Sequence, residues 1–296
     1  MKQYLLDFFE EFDYPEEARE ELLEAYGLIT EDGFARGELE DFIRMYNENI
    51  RADWGNILGR TEAMSDSSGA HKYKIELLVF ILLSKKLRER YIERGIDTSI
   101  WHNSMLDLKY KLLECKAVKN IWGSFVAKWF PGFFTLTRFA LGRLQFETCR
   151  YNQRDYTKGD KTIKNGETAI GVHIPRTLTP LDKKSYDEAF DMAREFFRGK
   201  TGDAPMAFVC SSWLLYPDNL EFLPEKSNVR RFMLEFDIIN SFDAKTGEYP
   251  HMWRLFDMDY TGNLDDYPED TSLRRAFKSR LKSGGKIGEG YGIFFA

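Results

Sequence analysis

Residues 168–198 read TAIGVHIPRTLTPLDKKSYDEAFDMAREFFR and contain the clearest architectural signal in the chain. Thr168 to Ile174 is short and rich in β-favouring residues, which predicts a strand. Thr179-Pro180-Leu181-Asp182 then predicts a helix start at Thr179, because threonine can cap, proline suits the first turn, and an acid is favourable near the helix amino terminus. The helix should run to about Arg198, with Tyr186 to Phe197 providing an apolar face. We expect this apolar face to pack against the predicted sheet.

Further strand signals lie on both sides of this unit. Upstream, Arg143 to Glu147 alternates polar and apolar residues, and Asn165-Gly166 is a turn signal, so an antiparallel hairpin is expected. Gly288 to Gly292 is interpreted as a turn. The downstream segments that read as strands are Pro205–Ser212, Phe232–Ile239, Met252–Asp257 and Tyr291–Phe295. This order predicts an α+β fold with a mixed, mainly antiparallel sheet flanked by helices.

The first part of the chain has a helical pattern. From Met1 to about Trp129 apolar residues recur at helical spacing, and Lys72 to Arg94 reads as a long central helix closed by Gly95. The character changes near Pro131-Gly132, where β-favouring residues begin. We therefore expect an all-helical amino-terminal domain at residues 1–132 and a second domain at residues 133–296.

Composition narrows the possible functions. The 296 residues carry a formal charge of −6, which argues against a nucleic-acid partner. Three widely spaced cysteines without a CxxC pair favour a reducing cytoplasm, and no apolar run is long enough to cross a membrane. The four histidines, His71, His102, His173 and His251, show no metal-binding motif. An acidic stretch from Asp257 to Asp270 fits either a cation site or, more simply, a solvated loop.

Two residues on neighbouring predicted strands are candidate bases. His173 ends the strand before the loop, and a histidine side chain ordinarily titrates near pH 6.5, so it suits proton transfer near neutrality. Glu147 could act as a base through a water molecule. The alternatives are a structural histidine held at the Ile174-Pro175 bend and a glutamate in a surface ion pair with Arg143.

The loop after the first of these strands is a candidate anion site. Arg176, Thr177, Leu178 and Thr179 join a strand to a helix amino terminus, where backbone N–H groups can hold a phosphate. The alternative is an ordinary capped helix with a basic, solvated rim. Ser211 and Ser212, at the end of the Pro205–Ser212 strand, could bind the same ligand through their hydroxyl groups.

Several ordered segments resemble a bacterial family of acyltransferase-like proteins that join a helical amino-terminal domain to a GNAT-like carboxy-terminal domain. The segments that carry the resemblance are Gly95-Ile96, Met105–Leu108, Leu141–Glu147, His173–Pro175, Pro180-Leu181, Ser212–Leu215, Ser227–Phe232, Thr271–Ala276 and Gly284-Gly285. Each is short, but their order and spacing over about residues 95–296 favour a family relationship. The resemblance implies the two-domain architecture already read from the residues.

The resemblance also implies chemistry. It implies transfer of an acyl group from acetyl-CoA or another acyl-CoA to a nitrogen or oxygen of a small-molecule or peptide acceptor. Tyr216 lies where this fold often places a tyrosine near the thioester sulfur, so it is the predicted acid. The Arg176–Thr179 loop lacks the glycine-rich phosphate signature of typical GNAT domains. Two alternatives therefore stay open: a non-catalytic GNAT-like module that binds a ligand or protein, and a purely structural pair of domains.

Overall fold

The computed structural model describes residues 1–244 and 252–296. The chain divides into two compact units, Met1–Phe139 and Ala140–Ala296, and each is considered by itself. In these ranges no helix is long and apolar enough to pass through a bilayer. His251, one of the four histidines, lies outside the described residues.

The first unit is helical, as predicted. Its helices are α1 (Lys2–Glu11), α2 (Glu16–Glu31), α3 (Gly33–Glu48), α4 (Trp54–Ser68), α5 (Lys72–Glu93), α6 (Thr98–Lys119) and the single turn α7 (Pro131–Phe134). Two positions that carry turn-type residues nevertheless lie inside helices. Helix α2 continues through Gly27, and the polar segment Ser65–Ser68 is helical and ends at Gly69, which adopts the left-handed conformation of a helix cap.

Helix α5 is the centre of this unit. Its residues from Ile75 to Ser84 are all buried, because helices α1 to α4 and α6 surround it. One of the buried residues is an acid, Glu76, which is 7% exposed and accepts a hydrogen bond from the Thr61 hydroxyl at 3.3 Å. Burial raises the pKa of Glu76 to about 7. The helical unit therefore holds a titratable group in its core.

The second unit is built on a six-stranded sheet. Its strands lie in the order β1 (Arg138–Leu141), β2 (Leu144–Arg150), β5 (Thr168–His173), β6 (Ala207–Ser212), β8 (Gly288–Phe295) and β7 (Asp237–Asp243). A small separate hairpin consists of β3 (Tyr156–Lys158) and β4 (Lys161–Ile163). The helices are α8 (Lys183–Phe196), α9 (Asn219–Phe222), α10 (Asn228–Met233), α11 (Met252–Phe256) and α12 (Ser272–Lys282). The predicted α+β class, with helices before a mixed and mainly antiparallel sheet, is confirmed.

One face of the sheet is covered by α8. Phe190 of this helix packs its ring 5.9 Å from that of Phe146, 5.2 Å from that of Phe208 and 5.0 Å from that of Phe294, on three different strands. We call this side the α8 face. Its aromatic packing accounts for the amphipathic pattern of α8, as the sequence predicted.

The other side is called the His173 face, after the residue at the end of β5. Register places Glu147, Gly171, His173, Val209, Ser211 and Tyr291 on it, since directly paired residues share a face. Away from His173, an apolar cluster of Ala169, Ala207, Val209 and Ile293 is packed with Tyr151 and Ile163. The β3–β4 hairpin supplies Ile163, so it covers only that part of the face.

Strand β8 corrects the interpretation of Gly288 to Gly292 as a turn. Gly288, Gly290 and Gly292 all point to the α8 face, where the chain after β6 packs directly on the strand. A Cβ at Gly290 would lie 2.0 Å from the carbonyl oxygen of Leu215. The glycines are therefore needed for close packing within a strand, and not for a change of direction.

One predicted strand begins too early, and another is wrong. Phe232, the predicted start of the strand to Ile239, lies within α10, and β7 begins only at Asp237. Residues 252–256 form the short helix α11, whose Met252, Leu255 and Phe256 are buried in a cluster with Phe277 of α12. Short apolar runs fit a buried strand and one buried helical turn equally well, so periodicity did not separate them.

Candidate active site

The parallel strands β5 and β6 separate next to His173. They pair only at Ile170 with Phe208 and at Gly171 with Val209, although β5 continues to His173 and β6 to Ser212. Strand β6 stays paired with β8 along its whole length, from Ala207 to Ser212. The sheet therefore opens between the carboxyl ends of two central parallel strands, the position where open α/β sheets commonly bind ligands.

His173 and Glu147 lie together beside this opening. Nε2 of His173 is 2.8 Å from Oε1 of Glu147, and their side chains are 29% and 22% exposed. The contact crosses the hairpin diagonally, because Gln145 lies directly opposite His173 while Glu147 lies opposite Gly171. With no side chain at Gly171, Glu147 can reach the imidazole. A carboxylate that holds one ring nitrogen fixes the orientation of the imidazole ring.

The loop that follows β5 is exposed and leads into α8. Leu178 is 75% exposed, and Thr177 accepts a hydrogen bond from the Thr179 N–H at 3.3 Å. The predicted helix start at Thr179 is wrong: α8 begins at Lys183, and Asp182 caps it by accepting from the Ser185 N–H at 2.9 Å. The carboxylate of Asp182 therefore occupies part of the helix amino terminus at which a phosphate site was predicted.

The three cations near this loop are all in ion pairs. Both terminal nitrogens of Arg176 contact the Asp257 carboxylate, with Nη2 2.9 Å from Oδ2. Lys183 lies 3.0 Å from both Asp187 and Glu235, and the more exposed Lys184 lies 3.8 Å from Glu188. An anionic ligand at the loop would have to share or displace these partners.

Arg143 fastens the two ends of the loop. From the turn between β1 and β2, its Nη1 donates to the carbonyl oxygen of Pro175 at 2.9 Å, and its Nε donates to that of Pro180 at 3.2 Å. Sequence reasoning treated Arg143 only as a possible ion-pair partner of Glu147. A single guanidinium group thus holds the residues on either side of Arg176 to Thr179.

The two serines at the end of β6 have different environments. Ser211 is exposed on the His173 face, opposite Tyr291. Ser212 is half-buried, and its Oγ accepts a hydrogen bond from the Leu214 N–H at 3.1 Å, where the chain turns out of the strand. Ser211 is therefore the more solvent-exposed of the two serines.

Tyr216 is not brought to the His173–Glu147 pair. Its hydroxyl donates to Asp243 at 2.8 Å, and its ring packs against Gly288, on the α8 face and on the far side of β6 and β8 from β5. Burial, with the bond to Asp243 as a further cause, raises the pKa of Tyr216. The hydroxyl is therefore firmly protonated and already bound to an acceptor.

The arrangement supports acid–base chemistry on a ligand held in the opening, with a histidine and a carboxylate as its base. Within residues 1–244 and 252–296, no group of three or more His, Cys, Asp or Glu side chains is placed to hold a metal ion. Sequence reasoning located the histidine, the glutamate and the loop. It missed the clamp formed by Arg143 and the ion pair from Arg176 to Asp257, which is 81 residues distant in sequence.

Models of known protein families match both parts of the chain. The family model of the GNAT-like C-terminal domain matches residues 138–294, and that of the N-acyltransferase N-terminal domain matches residues 3–136. None of the curated proteins matches the chain.

Solved structures share the fold over almost the whole length. An acyltransferase in complex with decanoyl-CoA and teicoplanin superimposes with a TM-score of 0.75 at 23% identity, covering 98% of this chain and 86% of that one. A mutant acyltransferase in complex with octanoyl-CoA gives 0.77 at 23% identity, covering 99% and 88%. A further acyltransferase, in complex with decanoyl-CoA, gives 0.72 at 19% identity, covering 98% and 86%.

Proposed function

We propose that this chain, which belongs to the family of the GNAT-like C-terminal domain, is an acyl-CoA-dependent N- or O-acyltransferase. The family's amino-terminal partner domain, whose model covers residues 3–136, is named for N-acyl transfer, which favours nitrogen acceptors. The observation that carries the proposal is the opening between β5 and β6. Beyond Gly171 and Val209 the two strands no longer pair with each other, so an extended thioester chain can bind between their diverging ends.

The proposed chemistry starts with the His173–Glu147 pair. Glu147 holds the imidazole ring of His173 through Nε2 at 2.8 Å, and His173 is proposed as the base. An acceptor amine or hydroxyl attacks the thioester carbonyl, its proton passes to His173, and the carbon–sulfur bond breaks as CoA leaves. Holding acceptor and thioester together supplies the proximity that such a reaction needs.

The Arg176–Thr179 loop is proposed to bind the CoA phosphates. Its backbone N–H groups and the guanidinium of Arg176 provide donors, and Arg143 holds the loop in shape. Binding would shift Arg176 from Asp257 towards the ligand, at a cost in affinity that a glycine-rich loop does not have. Ser211 and Ser212 are proposed to contact the pantetheine end.

The role of Tyr216 as the acid stays a prediction. To act on the thioester sulfur, its hydroxyl would have to leave Asp243, to which it already donates.

Acetyl-CoA and longer acyl-CoAs are both proposed donors, since acyltransferases of this fold have been solved with octanoyl-CoA and decanoyl-CoA. The acceptor is proposed to be a small molecule or a peptide; a relative of this fold binds teicoplanin. A cytoplasmic location is also proposed, in keeping with three free cysteines.

Calorimetry with acetyl-CoA, octanoyl-CoA and decanoyl-CoA tests the proposal. We expect at least one of them to bind and to raise the melting temperature. Absence of both heat and thermal shift with all three would overturn the enzyme reading and favour the non-catalytic module.

A matched pair of variants tests the loop. Leu178→Glu adds a negative charge to a 75% exposed position in the loop, and we expect it to weaken acyl-CoA binding by about tenfold. Ile92→Glu makes the same change at a 63% exposed position in the helical unit and should leave affinity unchanged. Equal affinities in both variants would remove the loop from the proposed site.

A further inference from the structure

The carboxylate of Asp257 lies between two arginine side chains. It accepts hydrogen bonds from both terminal nitrogens of Arg176, with Nη2 2.9 Å from Oδ2, and a further one from Nη2 of Arg274. Arg176 belongs to the loop after β5, and Arg274 belongs to α12. The Arg176 side chain is 42% exposed, whereas those of Asp257 and Arg274 are 22% and 13% exposed. Asp257 therefore connects the loop to α12, and Arg176 is its more accessible partner.

Contacts outside the loop hold Asp257 in place. Its backbone N–H donates to the carbonyl oxygen of Trp253 in α11 at 3.2 Å, and three apolar residues of α11 are buried in a cluster with α12. Arg274 is fixed in turn, because its Nε donates to the carbonyl oxygen of Leu255 at 2.8 Å and its Nη1 donates to the Asp270 carboxylate at 2.9 Å. The position of the Asp257 carboxylate therefore does not depend on the loop.

The backbone of Asp257 has an unusual conformation. Its φ is 61°, in the left-handed region that residues other than glycine seldom adopt. Residues in this region persist where their surroundings fix them, and they are concentrated at functional sites. Aspartate and asparagine tolerate the region better than most residues, since their short polar side chains can form local hydrogen bonds. Asp257→Asn therefore removes the charge and keeps this backbone conformation accessible.

We propose that Asp257 competes with the phosphates of CoA for Arg176 and so limits how tightly CoA is held. The inference rests on the proposed function, in which the loop that carries Arg176 binds these phosphates. Carboxylates and phosphates both bind a guanidinium group through two parallel N–H bonds. Asp257 already occupies both terminal nitrogens of Arg176, so a phosphate that takes this pair must displace it.

The consequence for the proposed reaction concerns release of the product. CoA has to leave the site after acyl transfer, and the fixed carboxylate of Asp257 recaptures Arg176 as the phosphates depart. Product release limits turnover in many enzymes, and affinity differences between related complexes lie mostly in the rate of dissociation. We therefore expect loss of the Asp257 charge to slow the dissociation of CoA.

Calorimetry with CoA compares wild type, Asp257→Asn and the matched control Asp270→Asn. Both substitutions remove a carboxylate that contacts Arg274, but the carboxylate that contacts Arg176 is that of Asp257. We expect Asp257→Asn to bind CoA about fivefold more tightly, the upper range for a partly exposed ion pair, and Asp270→Asn to stay within about twofold of wild type. No gain in Asp257→Asn, or an equal gain in both variants, would overturn the inference.

Two further measurements show how Asp257 acts. Stopped-flow displacement should give a CoA dissociation rate about fivefold lower in Asp257→Asn, and a gain that lies in association alone would contradict the role in release. Arg176→Gln should weaken CoA by about tenfold, and Asp257→Asn added to it should give no gain, because no guanidinium group remains for which two anions compete. A gain that persists without Arg176 would assign Asp257 to general repulsion of the ligand and contradict the inference.

Crystal structures of the wild type with and without CoA test the inference without any variant. Arg176 should contact Asp257 in the free protein and a phosphate of CoA in the complex. A complex in which both terminal nitrogens of Arg176 stay on Asp257 would overturn the inference. If wild type binds no CoA, the proposed function itself fails, and this is seen before any variant is made; binding of CoA without a gain in Asp257→Asn counts against the inference alone.

Discussion

The two faces of the same sheet differ in what they expose to their surroundings. On the α8 face, Phe146, Phe208 and Phe294 meet Phe190, and Gly290 leaves room for the backbone of Leu215. On the His173 face, the sheet carries the His173–Glu147 pair beside the strand opening, together with Ser211 and Tyr291. Each strand thus contributes to packing with one set of alternate residues and to a candidate site with the other.

This difference explains why a rigid scaffold and an accessible site can share strands. Apolar contacts on one side fix strand positions, so polar side chains on the other side can be held without forming a core of their own. The comparison predicts that substitutions on the α8 face change stability, while substitutions on the His173 face change turnover. Three pairs of variants test this prediction, beginning with the substitution expected to cost most.

Removal of the central aromatic ring of α8 should have the largest effect. Phe190 is 3% exposed and contacts rings from several strands, so Phe190→Ala should lower the free energy of unfolding by about 3–5 kcal/mol. Met192, on the same helix, is 42% exposed, and Met192→Ala should stay within about 0.5 kcal/mol. Urea unfolding measures both; similar losses would mean that α8 is not anchored by this ring.

Alanine at two strand glycines compares the faces directly. A methyl group at Gly290 would meet the Leu215 carbonyl oxygen at 2.0 Å, so Gly290→Ala should cost about 3 kcal/mol through displaced backbone. At Gly171, on the His173 face, the nearest atom is Sγ of Cys149 at 3.4 Å, an ordinary contact. Gly171→Ala should therefore cost less than about 1 kcal/mol. Thermal unfolding distinguishes them, and equal costs would contradict the proposed asymmetry.

Loss of the base should affect turnover and not stability. His173→Ala is expected to slow release of CoA from an acyl-CoA in the presence of trial amines by about 100-fold, equivalent to about 2.7 kcal/mol, with acyl-CoA affinity unchanged within about twofold. His102, which stacks on Phe12 in the helical unit, provides the matched control, and His102→Ala should retain turnover. Full activity in His173→Ala would remove it as the base.

Much of the framework could be read from the sequence because it rests on local patterns. The long apolar run of α5, the apolar face of α8 and the alternation in β2 predicted these elements, although α8 begins at Lys183 and not at Thr179. Local patterns also placed His173 and Glu147 on adjacent strands, near enough to meet.

The wrong predictions have a common physical cause. Where a short segment fits two kinds of secondary structure equally well, contacts with residues distant in sequence decide which one forms. Gly288 to Gly292 carries turn chemistry, yet it is a strand because Leu215 requires space beside it. Tyr216 follows the expected strand, but its bond to Asp243 takes it to the other face.

Glu76, the acid in the core of the helical unit, makes folding of that unit a proton-uptake reaction near neutral pH. Its pKa is raised from 4.5 to about 7 on folding, so between these values the folded state binds a proton that the unfolded state lacks. Stability from this group should therefore fall as pH rises through that window, by roughly 3 kcal/mol, and stay low above it. Glu76→Gln should abolish this slope in urea midpoints measured across the window, and a slope that persists would show that other groups cause it.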